Sequence, residues 1–227
     1  MKFNFRYRCI CALKKLYFKP NLFIHSYCLG IDVVGYSKHP TDVQLEVVKK
    51  IQSYVEYSLS LKKVSRKHMV FLPTGDGMIV CLLGSKNMPT LIINLAIELQ
   101  QRLRKENEKV DESRKIVVRM GIHSGTGASY LDINRNLNIA GHVANMTQRV
   151  MNFAIDWQIL ASKNAFDDIG TLDNDTRDLF HYIGFGEAKH KQAISVYNVY
   201  RIDDPAFGNS VRPPQIYSTE KTEFTGQ

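Results

Sequence analysis

The chain has 227 residues, 44% hydrophobic and 23% charged, a globular composition that excludes disordered and fibrous classes and suits one sizeable domain. Thirty Lys and Arg against twenty-two Asp and Glu leave a formal charge of +8, which favours a polyanionic partner such as a nucleoside triphosphate, a nucleic acid or an acidic membrane. No run of 18 apolar residues occurs, so no transmembrane segment is expected.

Residues 1–22 read as a basic, aromatic N-terminal extension, in which Lys14 and Lys15 interrupt any signal-like apolar stretch. Residues 23–203 read as the folded domain. Residues 204–227, with Pro205, Pro213 and Pro214 among polar residues, read as a flexible C-terminal tail. Phe23 to Val34 is a mostly apolar run with the character of a buried strand. Thr41 and Gln44 have capping-box spacing, and Val47, Val48, Ile51 and Val55 continue at helical intervals to about Leu59. His68 to Pro73 and Met78 to Leu83 form a hairpin about Thr74-Gly75-Asp76-Gly77, with Asp-Gly as the turn signal. Leu91, Leu95, Leu99 and Leu103 predict a second helix. A second hairpin is expected from Ile116 to His123 and Ala128 to Ile133, turning at Gly125 and Gly127. Val143, Met146, Val150 and Ala154 mark a third helix, followed by strands at Trp157 to Ala161, Leu179 to Phe185 and Ile194 to Tyr200. The order β-α-β-β-α-β predicts an α+β fold, a ferredoxin-like split βαβ sheet with helices on one face. Cys28 and Cys81 lie in apolar runs and read as small hydrophobes, while Cys9-x-Cys11 has no second pair to complete a zinc site. A reduced, cytoplasmic chain is therefore expected.

Two carboxylates fall in unusual places. Asp32 interrupts the apolar run Cys28 to Val34, and Asp76 sits at a hairpin tip. Each alone is an ordinary edge or turn aspartate. Together, on a first strand and a central hairpin that are neighbours in a split βαβ sheet, they suit a hard cation, which takes carboxylate and phosphate oxygens.

Ile31-Asp32-Val33-Val34-Gly35-Tyr36-Ser37 resembles the D-I-V-G-F-T/S opening of class III nucleotidyl cyclases. Gly75-Asp76-Gly77 is similar to their second metal motif, and Val118 to Gly125 to their V-R-x-G-I-H-S-G strand. Gly141 to Arg149 keeps their G-x-x-x-N-x-x-x-R helix, and Lys189-His190-Lys191 followed by Tyr197 is similar to their K-G-K…Y element. The match is collinear from about Phe23 to Val199.

The resemblance implies two divalent cations per site, Mg²⁺ or Mn²⁺, on Asp32, Asp76 and the backbone of Val33. It implies triphosphate contacts at Gly35, Tyr36, Arg119 and Lys189, and catalytic roles for Asn145 and Arg149. Those two residues are four apart and share a helix face turned away from Val143. In the family that face meets a second protomer, so a homodimer with shared sites is implied. His123 reads as a packed structural histidine.

Adenylate cyclases of the family read adenine with Lys four residues before the second metal Asp and Asp seven before the catalytic Asn, where guanylate cyclases use Glu and Cys. Leu72 and Asn138 stand there in this chain. Phe71 and Leu72 would narrow the pocket, and Asn138 complements either pyrimidine edge. This departure resembles the bacterial Pycsar pyrimidine (uridylate/cytidylate) cyclases, whose cyclic product activates a separate effector in anti-phage defence. Three alternatives stand beside it. One is a divergent adenylate or guanylate cyclase. Another is a non-catalytic nucleotide-binding regulatory module, although Asp32, Asp76, Asn145 and Arg149 are all present. The third is an RRM-type nucleic-acid binder, whose aromatic signature is missing from the strands, so no nucleic-acid partner is expected.

Overall fold

The structure is a computed structural model and describes residues 22–62, 64–84, 89–188 and 192–201. The predicted basic extension, apart from Leu22, and the predicted tail lie outside those residues. Three strands and two helices form the first half of the fold: β1 (Phe23–Val33), α1 (Thr41–Leu61), β2 (Met69–Pro73), β3 (Gly77–Leu83) and α2 (Thr90–Asn107). Then come β4 (Val118–Leu131), β5 (Leu137–Ala140), α3 (His142–Phe153) and β6 (Ile159–Ser162). Two short helices, α4 (Lys163–Ala165) and α5 (Asn174–Arg177), precede β7 (Phe180–Ala188) and β8 (Gln192–Val199).

The strands form one sheet in the order β2-β3-β1-β4-β6-β8-β7, with β5 paired to β4. Its first four members, in chain order β1-α1-β2-β3-α2-β4, are the expected split βαβ unit. The two long helices of that unit lie together on one face. Val43, Val47, Ile51, Val55 and Leu59 of α1 and Leu91, Leu95, Leu99 and Leu103 of α2 bury against Leu29, Ile31, Met120 and Ile122. Each such side chain contributes about 1.5–3 kcal/mol by leaving water. The later helix α3 takes the opposite face, where Val143 meets Cys28, Val70 and Ile79, and Met146 and Val150 meet Leu160 and Val196. That face admits a helix because Gly30 and Gly121 leave room for it. A Cβ on Gly121 would collide with the backbone of Met151.

Several local expectations are corrected. The segment read as a hairpin about Gly125 and Gly127 is one continuous strand, pairing with β1 from Val118↔Val33 to Ala128↔Phe23. Its glycines serve packing rather than turning, since a Cβ on Gly127 would strike Ile139 and Val143. The Thr41/Gln44 capping box does not form. Pro40 occupies the N-cap with no side-chain bond, and the Gln44 amide instead donates to the His39 carbonyl at 2.8 Å. In the first hairpin the two-residue loop is Gly75-Asp76, closed by Thr74 N–H donating to the Gly77 carbonyl at 3.1 Å. Gly75 takes the position where a hairpin turn needs positive φ, here 96°.

Cys28 and Cys81 are buried as expected, but they are not independent hydrophobes. The antiparallel register places Cys28 directly opposite Cys81, with Cα atoms 4.1 Å apart and the sulfurs joined as a disulfide. Apolar context alone could not show that the two runs would pair in this register. Among the described residues no helix is long and apolar enough to cross a membrane.

Candidate active site

At the end of β1 the chain must leave the sheet, and Gly35 does this in the left-handed conformation, φ 71°. A 3₁₀ turn at Tyr36–Lys38 follows and lays residues 34–37 along a cleft. The cleft, of about 350 Å³, is lined by Asp32, Val33, Val34, Gly35, Tyr36, Ser37, Asp76 and Arg119, and on its far wall by Ala154, Ile155 and Asp156.

Strand register brings the charged groups together. Asp32 lies opposite Gly77 on β3, the residue after Asp76, and opposite Arg119 on β4. Close approach of β1 and β3 at this point requires glycine, because a Cβ on Gly77 would collide with the Ile31 carbonyl. Arg119 Nε donates to Asp32 Oδ2 at 2.6 Å, with both side chains mostly withdrawn from solvent. Val33 buries its side chain in the core and thus presents backbone to the cleft.

The cleft's third wall was not anticipated from the sequence. Residues 154–157 are a loop between α3 and β6. Trp157 takes a left-handed φ of 63°, held by its N–H donating to the Val118 carbonyl at 2.8 Å. The Trp157 carbonyl accepts from Gln100, and the Arg104 guanidinium lies 5.0 Å from the Trp157 ring centroid. Ile155 N–H donates to Gln158 Oε1 at 3.1 Å. No motif marks these residues, because their contribution is loop shape and one carboxylate, Asp156.

The donor set fits a hard cation. Two carboxylates and backbone oxygen converge in a cleft that also carries an arginine, and Mg²⁺ or Mn²⁺ usually takes one or two carboxylates and fills its remaining positions with phosphate and water. Among the described residues no group of three or more His, Cys, Asp or Glu side chains forms a protein-only metal cage, and a cation on two carboxylates would complete its shell with water or substrate oxygens.

The remaining predicted residues are placed as follows. Gly35, Tyr36 and Arg119, the residues expected to contact a triphosphate, line the cleft. Lys189 lies outside the described residues. Asn145 is exposed and Arg149 half-buried, on the α3 face turned from the sheet, with Arg149 Nη1 3.8 Å from Met146 Sδ; neither lines this cleft. Phe71, Leu72 and Asn138 lie outside it too. β5 runs alongside β2, which brings the Asn138 and Leu72 strands together, and Asn138 Oδ1 accepts from Ile139 N–H at 2.7 Å. His123 is buried as expected. Its Nδ1 shares a 2.8 Å hydrogen bond with Ser162 Oγ, which also accepts from Ala165 N–H. Burial, reinforced by His142, pulls the His123 pKa down to about 4 against a smaller upward pull from Asp168.

No protein-family model and no curated protein matches the chain. Its fold nonetheless matches solved cyclase domains. The guanylate cyclase domain of RhGC from Catenaria anguillulae, in complex with GTP, superposes with a TM-score of 0.62 at 15% identity, covering 78% of this chain and 97% of that one. Adenylate cyclases from Trypanosoma brucei in their monomeric state give 0.59 at 17% identity, covering 79% and 89%. A dimeric guanylyl cyclase domain of the RhoGC fusion protein from Blastocladiella emersonii gives 0.61 at 13% identity, covering 78% and 97%. The fold is that of class III adenylate and guanylate cyclase catalytic domains.

Proposed function

We propose that the protein is a pyrimidine nucleotide cyclase, converting UTP or CTP to the 3′,5′-cyclic monophosphate and pyrophosphate. The observation that carries the reading is the convergence of Asp32, Asp76 and Arg119 in one cleft of a cyclase fold. Cyclisation needs in-line attack of the ribose 3′-hydroxyl on the α-phosphorus, a reaction served chiefly by positioning and charge stabilisation. Asp32, Asp76 and the Val33 backbone would hold two divalent cations, which when bound supply charge neutralisation of the triphosphate and acidify the hydroxyl. Gly35, Tyr36, Arg119 and Lys189 bind the β- and γ-phosphates. Asn145 orients the ribose and Arg149 stabilises charge developing on the α-phosphoryl group. Because both sit on the outward face of α3, they act on the cleft of a second copy, in a homodimer with two shared sites. Phe71 and Leu72 close the base pocket around a small ring, and Asn138 pairs with its edge. The cyclic product acts on a separate cyclic-nucleotide-sensing effector in anti-phage defence.

The likeness to enzymes of adenine and guanine nucleotides favours a purine cyclase as the second reading. Incubating purified protein with the four nucleoside triphosphates and Mn²⁺, with products identified by mass, separates them. We expect kcat/KM for UTP or CTP at least ~100-fold above ATP and GTP, since two unmatched buried polar edges at about 1–3 kcal/mol each reach that ratio. Preference for ATP or GTP would overturn the pyrimidine assignment and leave the cyclase reading; no cyclic product from any of the four would overturn both.

A further inference from the structure

We propose that Arg119 is an internal counter-cation of the metal site, holding Asp32 in the cation-free protein and giving it up when a divalent cation binds. The inference rests on the cyclase reading for the nature of the incoming ligand, a cation accompanied by a polyphosphate. Arg119 and Asp32 are directly opposite in the β1–β4 register and bonded at 2.6 Å. Among the described residues this is the hydrogen bond and ion pair that each of the two side chains makes, and both face the cleft beside Asp76. The Asp32 side chain is 14% exposed and that of Arg119 33%, so the pair is shielded enough for its attraction to count.

The two carboxylates are thus not equivalent. Asp76 is open toward the cleft, whereas one oxygen of Asp32 is already taken by a positive group. A dication on that oxygen would stand within a few ångströms of the guanidinium, and repulsion between like charges at that range sets the two in competition for the carboxylate. Arg119 has somewhere to go, because it is on the cleft wall and a guanidinium pairs well with phosphate oxygens. Cation and triphosphate are therefore coupled. The cation frees the arginine, the triphosphate captures it, and a cation arriving without a polyphosphate must displace Arg119 uncompensated. Arg119 is in this sense a positioning residue as well as a phosphate ligand.

The test is Mn²⁺ binding to the full chain without nucleotide, followed by electron paramagnetic resonance, for wild type and Arg119→Met, which keeps an unbranched apolar stem. The variant is expected to bind Mn²⁺ about tenfold more tightly, the equivalent of losing one charge-assisted hydrogen bond from the competing partner. Equal or weaker binding by the folded variant would overturn the proposal. Should Arg119→Met not fold, the ¹⁵Nε signal of Arg119 in wild type serves instead. Mg²⁺ alone should abolish its hydrogen-bonded proton shift, and an unchanged signal at saturating Mg²⁺ overturns the proposal equally. Absence of any cation binding in either protein does the same. These readouts are separate from turnover. A protein that cyclises a nucleotide but shows no tightening loses only this inference, and one that tightens but makes no cyclic product keeps it and loses the cyclase reading.

Discussion

His123 shows how burial, more than its charged neighbours, can set a residue's chemistry. With its pKa pulled down to about 4, it stays neutral in the folded protein while the unfolded chain takes up a proton at about 6.5. Between those values the unfolded state binds more protons, so stability is fully present above about pH 6.5 and falls as pH drops toward 4, by about 3 kcal/mol at most from this residue. His123→Gln should flatten that part of the profile, measured as the difference in thermal midpoint between pH 7 and pH 4.5 for variant and wild type. An unchanged difference would show that other groups govern the acid limb. The residue's structural character was readable in its G-I-H-S-G setting. What was not readable was its partner, since Ser162 is 39 positions away and meets it only because β6 lies parallel beside β4.

Among the elements, α3 depends most on a single contact. It crosses β4 at Gly121, where any side chain would meet the Met151 backbone, and backbone cannot swing aside as a side chain can. Gly121→Ala should therefore push the helix off the sheet, costing about 1–3 kcal/mol in urea unfolding. It should also lower turnover disproportionately if α3 carries Asn145 and Arg149 to the partner's site. Full activity at reduced stability would separate the helix position from catalysis. The periodicity of Val143, Met146 and Val150 was enough to find this helix. It could not say which face of the sheet the helix covers, because that is decided by two glycines on β1 and β4 rather than by anything in the helix. The misread β4 hairpin has the same origin, in that glycine signals both turns and close packing, and only the neighbour across the gap tells which. The cleft loop at residues 154–157 left no signal at all, being shaped by α2 side chains about fifty positions upstream.

For the molecule as a whole, the decisive question is whether one copy suffices. The metal-binding candidates and the Asn145/Arg149 face belong to different surfaces of one chain, so a complete site would take the first from one protomer and the second from its partner. Mixing Asp76→Ala protein with Arg149→Ala protein, each inactive alone, should restore up to about half of the wild-type activity per heterodimer, because one of its two sites carries neither lesion. No recovery despite subunit exchange shown by light scattering or mass spectrometry would mean that sites are not shared.

The position of β1 in the sheet also bears on how the chain is made. It is synthesised first among the strands yet ends between β3 and β4, with Asp32 meeting Arg119 across 87 residues of sequence. At elongation rates of about 5–20 residues per second, β1 waits roughly 4–17 s for the second of its two neighbours. Through that interval an apolar strand has one backbone edge unpaired, open to pairing with another nascent chain. β3, which emerges sooner and carries the cysteine that bonds to Cys28, covers the other edge first. On a polysome, where identical chains emerge side by side, the late arrival of β4 leaves this edge of β1 the one most open to a neighbouring nascent chain.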